Sequence, residues 1–375
     1  MDAGKPKVVV AAGGTAGHVV PAMAVADELR ASGAEVSFLG TRERIEADLV
    51  PAAGYEIDFV RVRGIDRRDP LKAARAGLEA LGAIGEARKA LRRREADVVM
   101  GGGGYVAGPA GVAAALTRTP LVLTEADSHL GLANRLLAKR ARRVCLAFPI
   151  AGREGEPYLV TGRPVPRAVL TGDREQARAR FGVAADAKVL LVVGGSQGAR
   201  SINLAAVEAF AEGARAVVPD MREEVRSRDL HVVHIAGTRD FAEIEARLER
   251  APHPERYTLL AYEPNLGDAL AAADLVLGRS GGSIFEVAAA GRPAILVPYP
   301  FATADHQSAN AEWMRAGGAA TVIPDVELDP ARLAAEVGAI LGDEARLEEM
   351  AAAARRLAKP DAARQIADEV LEAAR

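Results

Sequence analysis

Two stretches of this chain share one local design. Lys188-Val189-Leu190-Leu191-Val192-Val193 leads into Gly194-Gly195-Ser196-Gln197-Gly198-Ala199-Arg200, and Val8-Val9-Val10 leads into Gly13-Gly14-Thr15-Ala16-Gly17. Both turns read Gly-Gly-[Thr/Ser]-x-Gly, and a helical pattern follows each. A short unbroken apolar run reads as a strand buried on both faces. A glycine turn between such a strand and a helix frees backbone N–H groups at a helix N-terminus, which suits an anion, phosphate above all. One such turn in each half predicts two parallel-sheet α/β domains facing a shared anionic ligand.

The rest of the chain alternates in the same way. Strands are expected at Lys7–Ala11, Glu35–Leu39, Ile57–Val62, Asp97–Met100, Leu121–Thr124 and Val144–Phe148, the last closing the first sheet. Helices are expected at Val19–Ser32, with Pro21 in its first turn, and at Ala47–Ala53, Pro70–Arg94 and Gly131–Lys139. Residues 149–166 are dense in Pro and Gly and read as the interdomain boundary. In the second half strands are expected at Val189–Val193, Val232–Ala236, Tyr257–Leu260, Leu275–Leu277 and Ala294–Val297. The tail from Pro330 is helical, with Pro360 opening a final helix at its first turn.

A chain of 375 residues can bury two cores of ordinary size. Its net charge of −3 lacks the basic footprint of a nucleic-acid binder. Cys145 is the single cysteine, so no intrachain disulfide forms and a cytoplasmic location is the simplest expectation. No apolar run reaches the ~18 residues of a spanning helix, so a membrane role would be a surface role. Pro70–Arg94 carries Leu71, Leu78, Leu81, Ile84 and Leu91 on one helical face, with Lys72, Arg75, Arg88, Lys89, Arg92, Arg93 and Arg94 around them. It reads as a helix packed on the sheet, or as a basic surface for anionic lipid head groups.

Several residues carry chemistry, each with a plainer alternative. His18 ends the first glycine loop at a helix start, where positive charge is disfavoured. It is a neutral imidazole able to accept a proton, or a structural histidine. Glu286 follows the turn Gly278-Arg279-Ser280-Gly281-Gly282-Ser283; it could hold ribose hydroxyls, or complete a Ser283-x-x-Glu286 capping box. Gln307 and Asn310 share a helix face and suit sugar hydroxyls, while Asp305 before them suits a helix cap. Thr15 occupies the second-glycine position of a dinucleotide fingerprint, and neither loop has Gly-Lys-[Ser/Thr], so neither of those nucleotide motifs is present. No Asp-x-Asp and no His/Cys cluster of ligand spacing occurs, and no metal or cofactor is expected.

Taken together, six stretches resemble the MurG family of glycosyltransferases, within glycosyltransferase family 28. They are residues 13–18, 101–109 (Gly-Gly-Gly-Gly-Tyr-Val-Ala-Gly-Pro), 131–134 (Gly-Leu-Ala-Asn), 194–200, Glu286-Val-Ala-Ala-Ala-Gly-Arg-Pro and Asp305-His-Gln-Ser-Ala-Asn. The resemblance implies a GT-B fold: an α/β protein of two Rossmann-like, doubly wound parallel-sheet domains with a cleft between them. It implies an acceptor domain over 1–162, a donor domain over 163–345, and C-terminal helices over 346–375 crossing back to the first domain. It implies inverting transfer of GlcNAc from UDP-GlcNAc to the MurNAc 4-hydroxyl of lipid I, undecaprenyl-pyrophosphoryl-MurNAc-pentapeptide. The setting it implies is the cytoplasmic face of the bacterial membrane, with peripheral attachment to an anionic surface.

By the same resemblance the donor is held by Thr15, Gly17, Arg163, Ser196, Gln197, Gly198, Ser280, Glu286 and Gln307. The acceptor side is lined by Gly14, His18, Tyr105, Glu125 and Asn134. His18 is the expected base and Asp127 the second choice. Three places depart from the family pattern, one being the loop from Ser280 to Glu286, which is one residue shorter than is common. The family's Gly-Asn-Pro-Val-Arg appears as Gly162-Arg163-Pro164-Val165-Pro166, and its Glu-Gln-Asn as Glu125-Ala126-Asp127. The rival readings are another GT-B transferase with a different acceptor, and a UDP-GlcNAc 2-epimerase.

Overall fold

The computed structural model describes residues 4–62, 70–195, 198–212, 230–302 and 305–375, without the side chains of 70–78 and 80. The chain divides into two compact units, Met1–Pro166 with Lys359–Arg375, and Arg167–Ala358.

The first unit runs β1 (Lys7–Ala11), α1 (Ala16–Ala31), β2 (Glu35–Gly40), α2 (Glu46–Ala52), β3 (Glu56–Phe59), α3 (Pro70–Arg93), β4 (Val98–Gly101), α4 (Ala107–Thr117), β5 (Leu121–Glu125), α5 (Leu132–Leu137), β6 (Arg143–Leu146) and β7 (Tyr158–Val160). The sheet order is β3-β2-β1-β4-β5-β6-β7, with the described pairs all parallel. Side chains alternate across β1. Val8 and Val10 join α1 on one face, with Val25 and Leu29; Val9 and Ala11 join α3 and α4 on the other, with Ala87 and Ala110. Both faces are therefore dry, as uninterrupted valines require.

The second unit runs α6 (Arg167–Thr171), α7 (Arg174–Arg180), β8 (Lys188–Val193), α8 (Arg200–Phe210), β9 (Leu230–Ile235), α9 (Phe241–Leu248), β10 (Tyr257–Leu260), α10 (Leu266–Ala272), β11 (Leu275–Gly278), α11 (Ile284–Ala289), β12 (Ala294–Leu296), α12 (His306–Ala316), β13 (Ala320–Val322), α13 (Pro330–Leu341) and α14 (Glu344–Leu357). Its order is β10-β9-β8-β11-β12-β13, again parallel throughout the described pairs. Each sheet reverses direction beside its glycine-loop strand, between β1 and β4 and between β8 and β11. Ligands of open α/β sheets bind at such switch points. These two units are the Rossmann-like halves of a GT-B fold.

Four details depart from the sequence pattern. The first sheet does not close at residues 144–148, because β7 adds an edge strand inside the Pro/Gly-dense stretch, and β13 adds another to the second sheet. Each is three residues long, too short to show a period. Helix α1 begins at Ala16, so Pro21 lies in its second turn rather than its first. Pro360 precedes α15 (Ala362–Ala373), whose N-cap is Asp361. The tail expected over 346–375 also divides. Met350 of α14 joins the second core with Leu333 and Val337, while Ile366, Ala367 and Val370 of α15 join the first.

The buried face of α3 is built from Ala83, Ala87, Ala90 and Leu91, with Ile84 partly buried. The alanines let α3 approach α4 closely. Leu81, expected on that face, is 67% exposed, and Leu71 and Leu78 lie outside the described side chains. Arg93 and Arg94 pair with Asp58, and Arg94 also with Glu56, which removes two charges from the expected basic face.

Candidate active site

The first glycine loop is braced from below by an acid. Glu46, fully buried at the start of α2, accepts the Gly14 N–H at 3.0 Å, the Thr41 N–H at 3.0 Å and the Thr41 hydroxyl at 2.7 Å. The β4 loop closes over the same turn. A Cβ on Gly104 would stand 2.1 Å from the Gly13 carbonyl oxygen, and one on Gly14 3.0 Å from the Tyr105 ring. One of the glycine loop's N–H groups is spent on a buried carboxylate, whose charge opposes a second anion. The loop better suits a neutral hydroxyl.

His18 stands one turn further on. Its Nδ1 lies 3.2 Å from the Thr15 hydroxyl, which makes no helix-cap bond. In the tautomer whose Nδ1–H donates to that hydroxyl, Nε2 is the atom left to take a proton. Burial, and then the Arg163 guanidinium, hold the imidazole below its usual pKa, against opposing pulls from Asp127 and Glu46. The His18 imidazole is therefore neutral near pH 7.

Arg163 is buried in the first unit. It donates to the carbonyl oxygens of Gly17 and Ala126, the latter at 3.4 Å. Glu125 and Asn134 form one knot: Glu125 accepts from Gly131 N–H at 2.8 Å, the Asn134 amide at 2.9 Å and Asp127 N–H at 3.2 Å. Asn134 also donates to the Thr124 carbonyl at 2.9 Å. Burial raises the Glu125 pKa. These two residues shape the loop that carries Asp127.

In the second unit, Ser196 and Gln197 lie outside the described residues. Around them, Gly198 N–H donates to the Gly195 carbonyl at 3.0 Å, and Gly198 takes φ +81°. A buried polar chain underlies the turn. The Tyr257 hydroxyl meets His234 Nδ1 at 2.5 Å, His234 Nε2 meets Asn203 Oδ1 at 2.9 Å, and Asn203 donates to Asp240 at 2.9 Å. A Cβ on Gly198 would stand 3.0 Å from the Asp240 carboxylate. Asp240 follows β9 as Glu46 follows β2, so each glycine loop rests on an acid from the neighbouring strand's end.

The β11 loop is anchored to α12. Ser280 is fully buried; its hydroxyl donates to the Gln307 carbonyl at 2.7 Å and its carbonyl accepts from Asn310 at 2.9 Å. Ser280 and Asn310 thus hold backbone rather than offering groups to a ligand. The Gln307 side-chain oxygen accepts from Tyr299 N–H at 2.9 Å, and its amide nitrogen faces Gly281. Neither expected cap forms as drawn: Ser283 makes no side-chain cap bond, and Asp305 takes the Ser308 hydroxyl at 2.6 Å instead of a helix N–H. Among the described residues, no group of three or more His, Cys, Asp or Glu is arranged to hold a metal ion.

The glycosyltransferase family 28 N-terminal domain matches residues 8–146, and the family 28 C-terminal domain matches residues 189–366. The chain belongs to glycosyltransferase family 28. It is a glycosyltransferase, and its curated relatives are similar over their whole length. A UDP-N-acetylglucosamine--N-acetylmuramyl-(pentapeptide) pyrophosphoryl-undecaprenol N-acetylglucosamine transferase of Moorella thermoacetica is 40% identical, across 98% of both chains. The Pseudomonas paraeruginosa protein of the same name is 41% identical, across 99% of both. The crystal structure of Acinetobacter baumannii MurG superposes with a TM-score of 0.71 at 29% identity, covering 98% of this chain and 99% of that one. A UDP-N-acetylglucosamine 2-epimerase shares the fold alone, with a TM-score of 0.66 at 16% identity, covering 98% of this chain and 96% of that one.

In this family 28 chain the first unit brings Gly14, Thr15, Gly17, His18, Tyr105, Asp127 and Arg163 to one end of its sheet, at the β1–β4 switch point. Sequence reasoning missed Glu46, Asp240, Arg279 and Asp325. Arg279 ties the β11 loop to Ser201 of α8 at 2.9 Å and to Asp325 at 2.5 Å. An acid soon after the second strand of each half was the available signal for Glu46 and Asp240. Asp325 had none.

Proposed function

We propose that this chain is the inverting transferase that moves GlcNAc from UDP-GlcNAc to the MurNAc 4-hydroxyl of lipid I, giving lipid II for peptidoglycan. The observation that carries the reading is the 40% identity to a transferase of that name over 98% of both chains. The two switch-point loops support it, with one carrying a neutral base and the other opening α8.

In this reading the first unit presents the acceptor and the second holds the donor. The acceptor hydroxyl attacks the anomeric carbon while His18 Nε2 takes its proton, and the bond to the UDP oxygen breaks with inversion. Asp127 is the second candidate base. The α8 N-terminus, with Ser196, Gln197 and Gly198, stabilises the departing diphosphate. Glu286 holds the ribose and Gln307 the sugar. Tyr105, on the β4–α4 loop, lines the acceptor side, and Glu125 and Asn134 shape the loop that carries Asp127.

The protein works at the cytoplasmic face of the bacterial membrane as a peripheral protein. Among the described residues no helix is long and apolar enough to cross a membrane. Leu81 stands exposed on α3 beside exposed Arg88, Lys89 and Arg92, which suits anionic head groups. Co-sedimentation with anionic but not neutral vesicles is the expected result.

Incubation with UDP-GlcNAc and a short-chain lipid I analogue tests the reaction. UDP release that depends on acceptor is expected. UDP-ManNAc formed without acceptor would make the chain an epimerase.

A further inference from the structure

The Arg163 guanidinium binds the carbonyls of Gly17 and Ala126. Gly17 immediately precedes His18, and Ala126 immediately precedes Asp127. One planar fork therefore grips the backbone just before each candidate base. The sequence also shows why α1 needs it. In an α-helix the carbonyl of residue 17 accepts from the N–H of residue 21, which here is proline and has none. Arg163 supplies that missing donor.

Arg163 is itself held firmly. Thr161 and Gly162 both donate to the Leu146 carbonyl at 3.1 Å, at the end of β6. Gly162 takes φ +86°, and a Cβ there would stand 2.4 Å from Lys359 Cβ. Neighbouring Val165 is buried. The guanidinium thus projects from a fixed piece of backbone.

We infer that Arg163 is a positioning residue, which fixes His18 and Asp127 relative to one another and sets a positive charge against the imidazole. This rests on the reading of His18 as the base. The charged groups facing His18 are Arg163, Asp127 and Glu46. Tyr105 packs on Gly14 of the same loop, and the Thr15 hydroxyl holds Nδ1. The two carboxylates favour imidazolium, and Arg163 is the cation among these groups that opposes them. A guanidinium spans two carbonyls where a lysine ammonium cannot.

Three variants separate this role from a helix cap or a donor ligand. The readouts on the full chain are the NMR titration of His18, kcat and KM for GlcNAc transfer, and Tm. R163Q is expected to raise the His18 midpoint and lower kcat about tenfold, with KM for UDP-GlcNAc little changed. R163K should keep the midpoint and still lose kcat. P21A/R163Q restores the helical N–H and should recover Tm, but neither the midpoint nor kcat.

An unmoved midpoint and kcat in R163Q would overturn the inference. So would recovery of both by P21A, which reduces Arg163 to a cap, or a rise in donor KM with kcat intact, which makes it a donor ligand. If R163Q does not fold, R163K and P21A/R163Q decide. If the wild type transfers no GlcNAc while the R163Q midpoint rises, the reaction reading fails and the coupling of Arg163 to His18 stands.

Discussion

The carboxylate of Glu46 accepts the backbone N–H of Gly14 at 3.0 Å. A loop that resembles an anion cradle is thus already filled, from inside, by the protein's own anion. Asp240 stands in the equivalent place beneath the second loop. The difference lies in reach: Glu46 spends its oxygens on the loop and on Thr41, whereas Asp240 takes the Asn203 amide.

Removing that brace should be costly. Glu46→Ala leaves three donors unpaired in a largely buried site, at about 3 kcal/mol. Urea unfolding is expected to show the loss as a lower midpoint with the slope unchanged. Glu46→Gln should recover only part, because its amide group would meet an N–H with an N–H.

His18→Ala should lower kcat about 10²–10⁴-fold, the usual worth of a general base. Because the folded pKa lies below 6.5, the active neutral form persists as pH falls through that value. The acid limb of kcat/KM is expected below pH 6.5. An intact kcat in His18→Ala at saturating acceptor would shift the role to Asp127.

Gly103 separates the two loops by the absence of a side chain. A Cβ there would stand 2.5 Å from His18 Cδ2, on a residue with φ +97°. Gly103→Ala should push the imidazole out of line and lower kcat about tenfold, leaving the KM for UDP-GlcNAc unchanged. Steady-state kinetics with both substrates varied would show it.

His234 links pH to stability. Burial holds it neutral, with its pKa pushed down to about 3. Between pH 6.5 and that value the unfolded chain binds the extra proton, so this contribution is complete above 6.5 and lost as pH falls. Its slope is about 1.4 kcal/mol per pH unit. Urea titrations between pH 7 and 4.5 should lose that slope in His234→Gln, whatever its stability at pH 7.

Glu286 has a role in the site or in a cap, and Ser283 makes no cap bond. On the proposed reading of Glu286 as the ribose ligand, Glu286→Ala should raise the KM for UDP-GlcNAc at least tenfold while Tm changes little. A fall in Tm with KM unchanged would return it to the helix end.

The central strands were legible because they are buried, mostly apolar runs, as residues 8–11 and 189–192 are. Lys7–Ala11 and Tyr257–Leu260 were read to the residue. The short edge strands Tyr158–Val160 and Ala320–Val322 were not, since three residues show no period. On α3 the core is met by Ala83, Ala87 and Ala90 together with Leu91, while Leu81 faces outward.

The sequence by itself determined the class: two parallel-sheet units, each with a glycine turn, and a histidine at the start of one helix. Those features are local, set by backbone conformation and burial within a few residues. Tertiary structure alone decided which loop N–H groups are already spent and what holds the histidine neutral. Glu46 meets Gly14 across 32 residues, and Arg163 meets Gly17 across 146. Charges and hydrogen bonds act through space, so the same Gly-Gly-[Thr/Ser]-x-Gly pattern has Glu46 on its Gly14 N–H in one unit and Asp240 beside its Gly198 in the other.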